Sequence, residues 1–164
     1  ASYRLLKEHN TPEKLLKLPV EKIEKLIYPV GFFRNKSKSI KAICEILIKK
    51  YKGAVPKTID DLVELPGVGR KTANIVMVFG FGSKDHIPVD IHCHRIPNRL
   101  GWIKTKTPDE SEQALLKILP KKFWEPFNDL FVQFGQNICV PVSPFCSKCP
   151  ISKYCKRVGV EKSR

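Results

Sequence analysis

A chain of 164 residues with 42% apolar content can bury the core of one ordinary domain or of two small lobes, which excludes a disordered segment. Its 30 Lys and Arg against 16 Asp and Glu leave a net charge of +14, and the excess is shared: positions 1–82 carry 16 basic and 8 acidic residues, positions 83–164 carry 14 and 8. A cationic surface on both halves suits a polyanionic partner, since each basic residue set on a phosphate releases a counterion, whereas no apolar run nears the ~18 residues of a membrane span and no leader is visible.

In chain order, Thr11-Pro12 has the form of a helix cap followed by a first helical residue, and Val20, Ile23, Leu26 and Ile27 make a short apolar stripe before Pro29. Ile40, Ile43, Cys44, Leu47, Ile48 and Tyr51 recur at three- and four-residue steps, predicting an amphipathic helix stopped by Gly53. Thr58 with Asp61 resembles a capping box, and a further helix is predicted after Gly69 with Ile75, Val76 and Phe79 on its buried face. Thr107-Pro108-Asp109-Glu110 carries a capping Thr, a Pro at the first helical position and a reciprocal Glu. Phe123, Phe127, Leu130, Phe131 and Phe134 mark a last long helix. No window sustains a period of two, so the fold class expected is all-α.

Between the helix that Thr58 begins and the one after Gly69 lies Pro66-Gly67-Val68-Gly69, a turn whose glycines permit positive φ and leave amides uncovered, as an anion site on a phosphate backbone requires. Arg70 and Lys71 follow at once. A cation in the first helical turn opposes the macrodipole by roughly 0.3–1 kcal/mol, so stability alone would place an acid there. A neutral amine near pH 7 would need its pKa lowered from ~10.4 to ~7–8, and partial burial would help; such a lysine is suited to Schiff-base chemistry. Asp90 precedes an apolar-periodic segment and reads as its cap, while Pro97, seven residues on, is expected to kink or end that helix.

Four of the six cysteines fall between positions 139 and 155. Without a secretory signal this favours a metal centre over disulfides, and spacing alone leaves zinc and an iron–sulfur cluster both open. Cys44 reads as a buried thiol and His86, His92 and His94 as local hydrogen-bonding groups. Phe32 and Phe33 after Gly31, with Arg34 and Lys36, combine bulk with charge, a pair that reads as core or as an exposed wedge.

The stretch Leu65-Pro66-Gly67-Val68-Gly69-Arg70-Lys71-Thr72-Ala73-Asn74, with Val89-Asp90-Ile91-His92 placing the aspartate nineteen residues past the lysine, resembles the endonuclease III family of helix-hairpin-helix DNA glycosylases. The resemblance extends to Cys139, Cys146, Cys149 and Cys155, whose gaps of six, two and five residues match the family's cluster loop. It implies a [4Fe–4S] cluster on those cysteines in preference to zinc. It also implies base excision repair by a bifunctional glycosylase and abasic-site lyase acting on oxidised pyrimidines, with Lys71 as nucleophile and Asp90 assisting. A non-catalytic DNA-binding module and a monofunctional mismatch glycosylase are the alternatives.

The fold implied is a helical barrel lobe at 1–84, containing the helix-hairpin-helix at 58–81, and a second lobe at 85–164 containing the cluster loop at 139–155. DNA contacts are expected from Pro66, Gly67, Val68, Gly69, Arg70, Phe32, Phe33, Arg34, Lys36, Lys148 and Lys153. The partner implied is duplex DNA with a damaged base or abasic site. The protein is expected to be an intracellular monomer with no membrane, in the cytoplasm or nucleoid if prokaryotic. Family chains usually begin with a further helical segment containing a Ser-Ala-Gln stretch, so N-terminal helices are expected to be missing here.

Overall fold

Short polar residues decide where several helices begin. Thr11, Thr58 and Thr107 each stand in extended backbone just before a helix and accept the N–H three residues on, from Lys14, Asp61 and Glu110. Glu110 returns the bond to the Lys106 N–H at 2.8 Å, one residue earlier than an ideal capping box. The computed structural model describes all 164 residues, which form nine α-helices and no strand, as the all-α expectation requires. They fall into two compact units, residues 1–69 and 70–164.

The first unit contains α1 (Ser2–Leu6), α2 (Pro12–Leu16), α3 (Val20–Ile27), α4 (Phe33–Tyr51) and α5 (Ile59–Val63). Leu5, Leu15, Ile23, Ile27 and Cys44 form its core, the last three from the stripes that the periodicity marks. α2 and α3 pack on α4. The Lys41 ammonium of α4 donates to the carbonyls of Leu16 and Leu18 at 2.9 and 2.6 Å, closing the end of α2. α4 itself stops where Lys52 and Gly53 turn left-handed, and the Gly53 N–H returns to Leu47 O at 2.8 Å.

The second unit contains α6 (Arg70–Ile75), α7 (Ile91–Leu100), α8 (Pro108–Ile118) and α9 (Trp124–Asn137). α7 packs on both α8 and α9 around Ile87, Val89, Cys93, Leu115 and Phe127. The division between units falls after Gly69, at the end of the turn, and Arg70 and Asn74 of α6 are tied to Glu112 of α8.

Three details differ from the periodicity. α6 runs on as a π-helical turn, Val76–Gly80, with Ala73, Asn74 and Val78 buried and Phe79 exposed. Leu130 and Phe123 are also exposed, Phe123 because it ends a 3₁₀ turn ahead of α9. Pro97 does not end α7: its ring is fully buried and the helix continues to Leu100, closed by Gly101 at φ 77°. No helix is long and apolar enough to cross a membrane.

Candidate functional site

The glycine turn is built as its composition suggests. Gly67 has φ 79°, and a Cβ there would lie 3.0 Å from Ser39 Oγ, so both conformation and space favour glycine. The Val68 N–H closes the turn on Leu65 O at 3.0 Å, while Gly67 and Gly69 are exposed and their amides take no part in that bond. Pro66 and Val68 are half-buried.

Arg70 opens α6 with its guanidinium committed inward. Its Nη2 donates to Glu112 Oε1 at 2.9 Å and its Nε to Oε2 at 2.8 Å, a bidentate pair on a carboxylate only 3% exposed. The Asn74 Nδ2 adds a third bond to Oε2 at 2.9 Å. The next residue, Lys71, is exposed and engaged by no hydrogen bond or ion pair.

Asp90 is the cap of α7. Its Oδ1 accepts the N–H groups of His92 and Cys93, both at 2.9 Å, so the carboxylate faces the positive end of a ten-residue helix. The residues before it, Ile87, Pro88 and Val89, are buried, and the Asn128 amide holds Pro88 O at 2.9 Å. Behind the cap, burial pushes the Cys93 thiol up to about 12. Lys71 and Asp90 belong to the same unit, and no hydrogen bond joins them.

Cys139, Cys146, Cys149 and Cys155 line one cavity with Ile96, Leu100, Phe134, Ile138 and Ile151. All four are free thiols, and no three of them form a group able to hold a single metal ion. The Cys149 thiol is pushed up by burial, against a bond from the Ile151 backbone, and further by Cys146, Cys139 and Cys155. The donor set is soft, partly sheltered and arranged around a space, which fits a thiolate-bound metal centre. α7 grips the start of this loop: Arg99 Nη1 reaches Cys139 Sγ at 3.4 Å and Val140 O at 2.8 Å, and Arg95 Nη2 donates to Cys139 O at 2.7 Å.

The two phenylalanines part company. Phe33 packs on the core of the first unit, edge-on to Tyr28 at 5.5 Å, whereas Phe32 is 83% exposed and holds φ 57°, a left-handed conformation that is strained for a bulky residue. The Arg34 guanidinium lies over the Phe33 ring. Lys36, Lys148 and Lys153 are exposed. His86, His92 and His94 bond to Ser83, Arg95 and Ser111, as local hydrogen-bonding groups.

Glu112, Arg95 and Arg99 stand in no motif of the sequence, and Asn74, at the end of the glycine-turn stretch, carries no role there. A signal for Glu112 existed: two cations opening a helix, against its dipole, call for a carboxylate nearby.

Such an all-helical chain, with a glycine hairpin leading to a lysine and an aspartate-capped helix nineteen residues beyond it, defines a class of DNA repair protein. The chain belongs to the HhH-GPD superfamily of base excision DNA repair proteins, whose pattern matches residues 1–121. It is 47% identical over 156 residues to Endonuclease III of Thermotoga maritima, covering 95% of this chain and 73% of that protein. It is 46% identical over 151 residues to Endonuclease III-like protein 1 of Mus musculus, covering 91% of this chain and half of the mouse protein. A solved structure of a trapped endonuclease III–DNA covalent intermediate superposes with a TM-score of 0.86 at 39% identity, over 95% of this chain and 73% of that one.

Proposed function

We propose that this chain is a bifunctional DNA glycosylase and abasic-site lyase that removes oxidised pyrimidines from duplex DNA and cuts the strand by β-elimination. The observation that carries the reading is Lys71, a first-turn lysine left exposed and unpaired while the arginine beside it is held by a buried carboxylate. In the reaction, the Lys71 Nζ lone pair attacks the sugar carbon bearing the damaged base, and the glycosidic electron pair leaves with the base. Asp90, fixed at its helix start, holds negative charge beside the sugar as positive charge develops. The ammonium proton passes to Asp90 or water, the sugar ring opens, and Lys71 forms an imine. Loss of a sugar C2′ proton expels the 3′ phosphate, and water then hydrolyses the imine to free the lysine.

The exposed turn amides of Gly67 and Gly69 are suited to a DNA phosphate, and Lys36, Lys148 and Lys153 add salt-dependent affinity. Phe32 is suited to the gap left by an extruded nucleotide, because its exposure and strained backbone have no packing benefit. Arg70 serves the inside of the protein more than the phosphate. Cys139, Cys146, Cys149 and Cys155 would hold a [4Fe–4S] cluster, which when bound supplies a rigid centre that folds the loop and presents Lys148 and Lys153. Thiols kept for a cluster support an intracellular location, and the protein acts as a monomer.

Incubation with duplexes bearing thymine glycol or an abasic site tests the reading. Release of the base with a cut 3′ to the lesion is expected. Base release without cutting would make the protein a monofunctional glycosylase, and binding without either product would make it a DNA-binding module; both contradict the proposal.

A further inference from the structure

Glu112, on the inner face of α8, is 3% exposed, and its two oxygens receive three bonds, all from α6. The donors are Arg70 and Asn74, one helical turn apart, and they bracket Lys71 in sequence. Asn74 is fully buried, and its other amide atom, Oδ1, has no partner. A buried carboxylate with one orphaned amide oxygen beside it is a poor choice for stability, where apolar residues of similar size would serve as well or better.

We infer that Glu112 is a positioning residue for Lys71, fixing through Arg70 and Asn74 the rotation of α6 about its own axis. Lys71 follows Arg70 by about 100° around the helix, so the azimuth of the clamp sets the direction in which the amine leaves the surface. α6 is only six residues long and passes into a π-helical turn, so its own hydrogen bonds define that azimuth weakly. The clamp also holds the Arg70 guanidinium against a carboxylate, where it does not compete with Lys71 for an anionic substrate. This inference rests on the proposed lysine chemistry, in which an amine misplaced by about 1 Å loses on the order of a hundredfold in rate.

The test is single-turnover borohydride trapping on an abasic duplex, with duplex affinity and melting temperature measured for the same proteins. Glu112→Gln keeps the shape and loses the charge; Asn74→Ala removes one donor and the orphan; Leu115→Val perturbs the core from the same helix without touching the clamp. Trapping by Glu112→Gln is expected to slow about tenfold to a hundredfold with affinity within about threefold of the unaltered chain. Asn74→Ala should slow less, and Leu115→Val, below its melting temperature, should trap at the original rate. Should Glu112→Gln fail to fold, Asn74→Ala decides alone. Unchanged trapping in the clamp variants overturns the inference, as does slowing that merely tracks melting temperature and is shared by Leu115→Val. Absence of any adduct from the unaltered chain removes the lysine chemistry itself, and the inference with it.

Discussion

The His92 ring lies so close to Gly135 of α9 that a Cβ on that glycine would fall 2.4 Å from Nδ1 and 2.8 Å from Cγ. Helix α9 can approach the start of α7 only because position 135 has no side chain, and the residue it meets is two places from Asp90. Arg95 completes the contact by donating to both His92 Nδ1 and Gly135 O.

Gly135→Ala should therefore cost more than a helical Gly→Ala change normally returns. Overpacking of this kind costs about 1–3 kcal/mol, against roughly 1 kcal/mol gained in helix propensity. Thermal unfolding should show a melting temperature lowered by a few degrees, accompanied by slower base release because the cap at Asp90 shifts. A rise in melting temperature would contradict the packing account.

Asp90 has two separable duties, capping and charge. Asn caps about as well as Asp, so Asp90→Asn should melt near the original temperature yet lose base-release activity by about a hundredfold or more. Asp90→Ala should lose activity and also about 1 kcal/mol of stability, because the His92 and Cys93 amides lose their acceptor. Paired melting curves and single-turnover rates distinguish the two.

The cysteine loop predicts selective metal loss. Replacing Cys149 with Ser should abolish bound iron and acid-labile sulfide and lower the melting temperature, because the ligands are spread along the chain that the cluster would close. Cys44→Ala, a change of a buried thiol in the other unit, should leave iron content unchanged.

Stability should fall at both pH extremes for identifiable reasons. The Thr58 and Tyr51 hydroxyls hold the Asp61 carboxyl below its usual 3.8, and the Lys121 ammonium does the same for Asp85. Depressed carboxylates stabilise the fold above their unfolded pKa and lose that contribution as pH drops through the depressed values, so unfolding should ease progressively below about pH 4. In the alkaline limb, burial raises the Cys93 thiol from 9.0 to about 12. The unfolded thiol ionises first, which erodes stability between those values. Cys93 should also resist alkylation at pH 8 in the folded protein, a property mass spectrometry reads directly.

Features with local causes could be read from the sequence. Thr107-Pro108 starts α8 because a hydroxyl and a fixed φ act within a few residues, and Asp90 caps α7 for the same reason. Phe79 could not be placed, since the chain turns π-helical from Val76 to Gly80, a spacing that a 3.6-residue period does not anticipate. Glu112 was hidden by distance: its partners lie 42 and 38 residues earlier, and on a helix wheel it looks like any solvated acid. Pro97 lacks an N–H for the helix, yet α7 runs past it to Leu100 with the ring fully buried, and that burial is a tertiary feature the local sequence does not show. The motif residues Lys71, Asp90 and the four cysteines were visible as a pattern, while the cavity around the thiols depends on contacts from α7 and α9 that no spacing encodes.

The central claim is that one amine bonds covalently to deoxyribose. Borohydride reduction during turnover, followed by proteolysis and mass mapping, should find a sugar remnant on Lys71 alone, and Lys71→Ala should give no adduct while still binding duplex. A remnant on another lysine or on the terminal amine, or undiminished strand cutting by Lys71→Ala, would contradict the account.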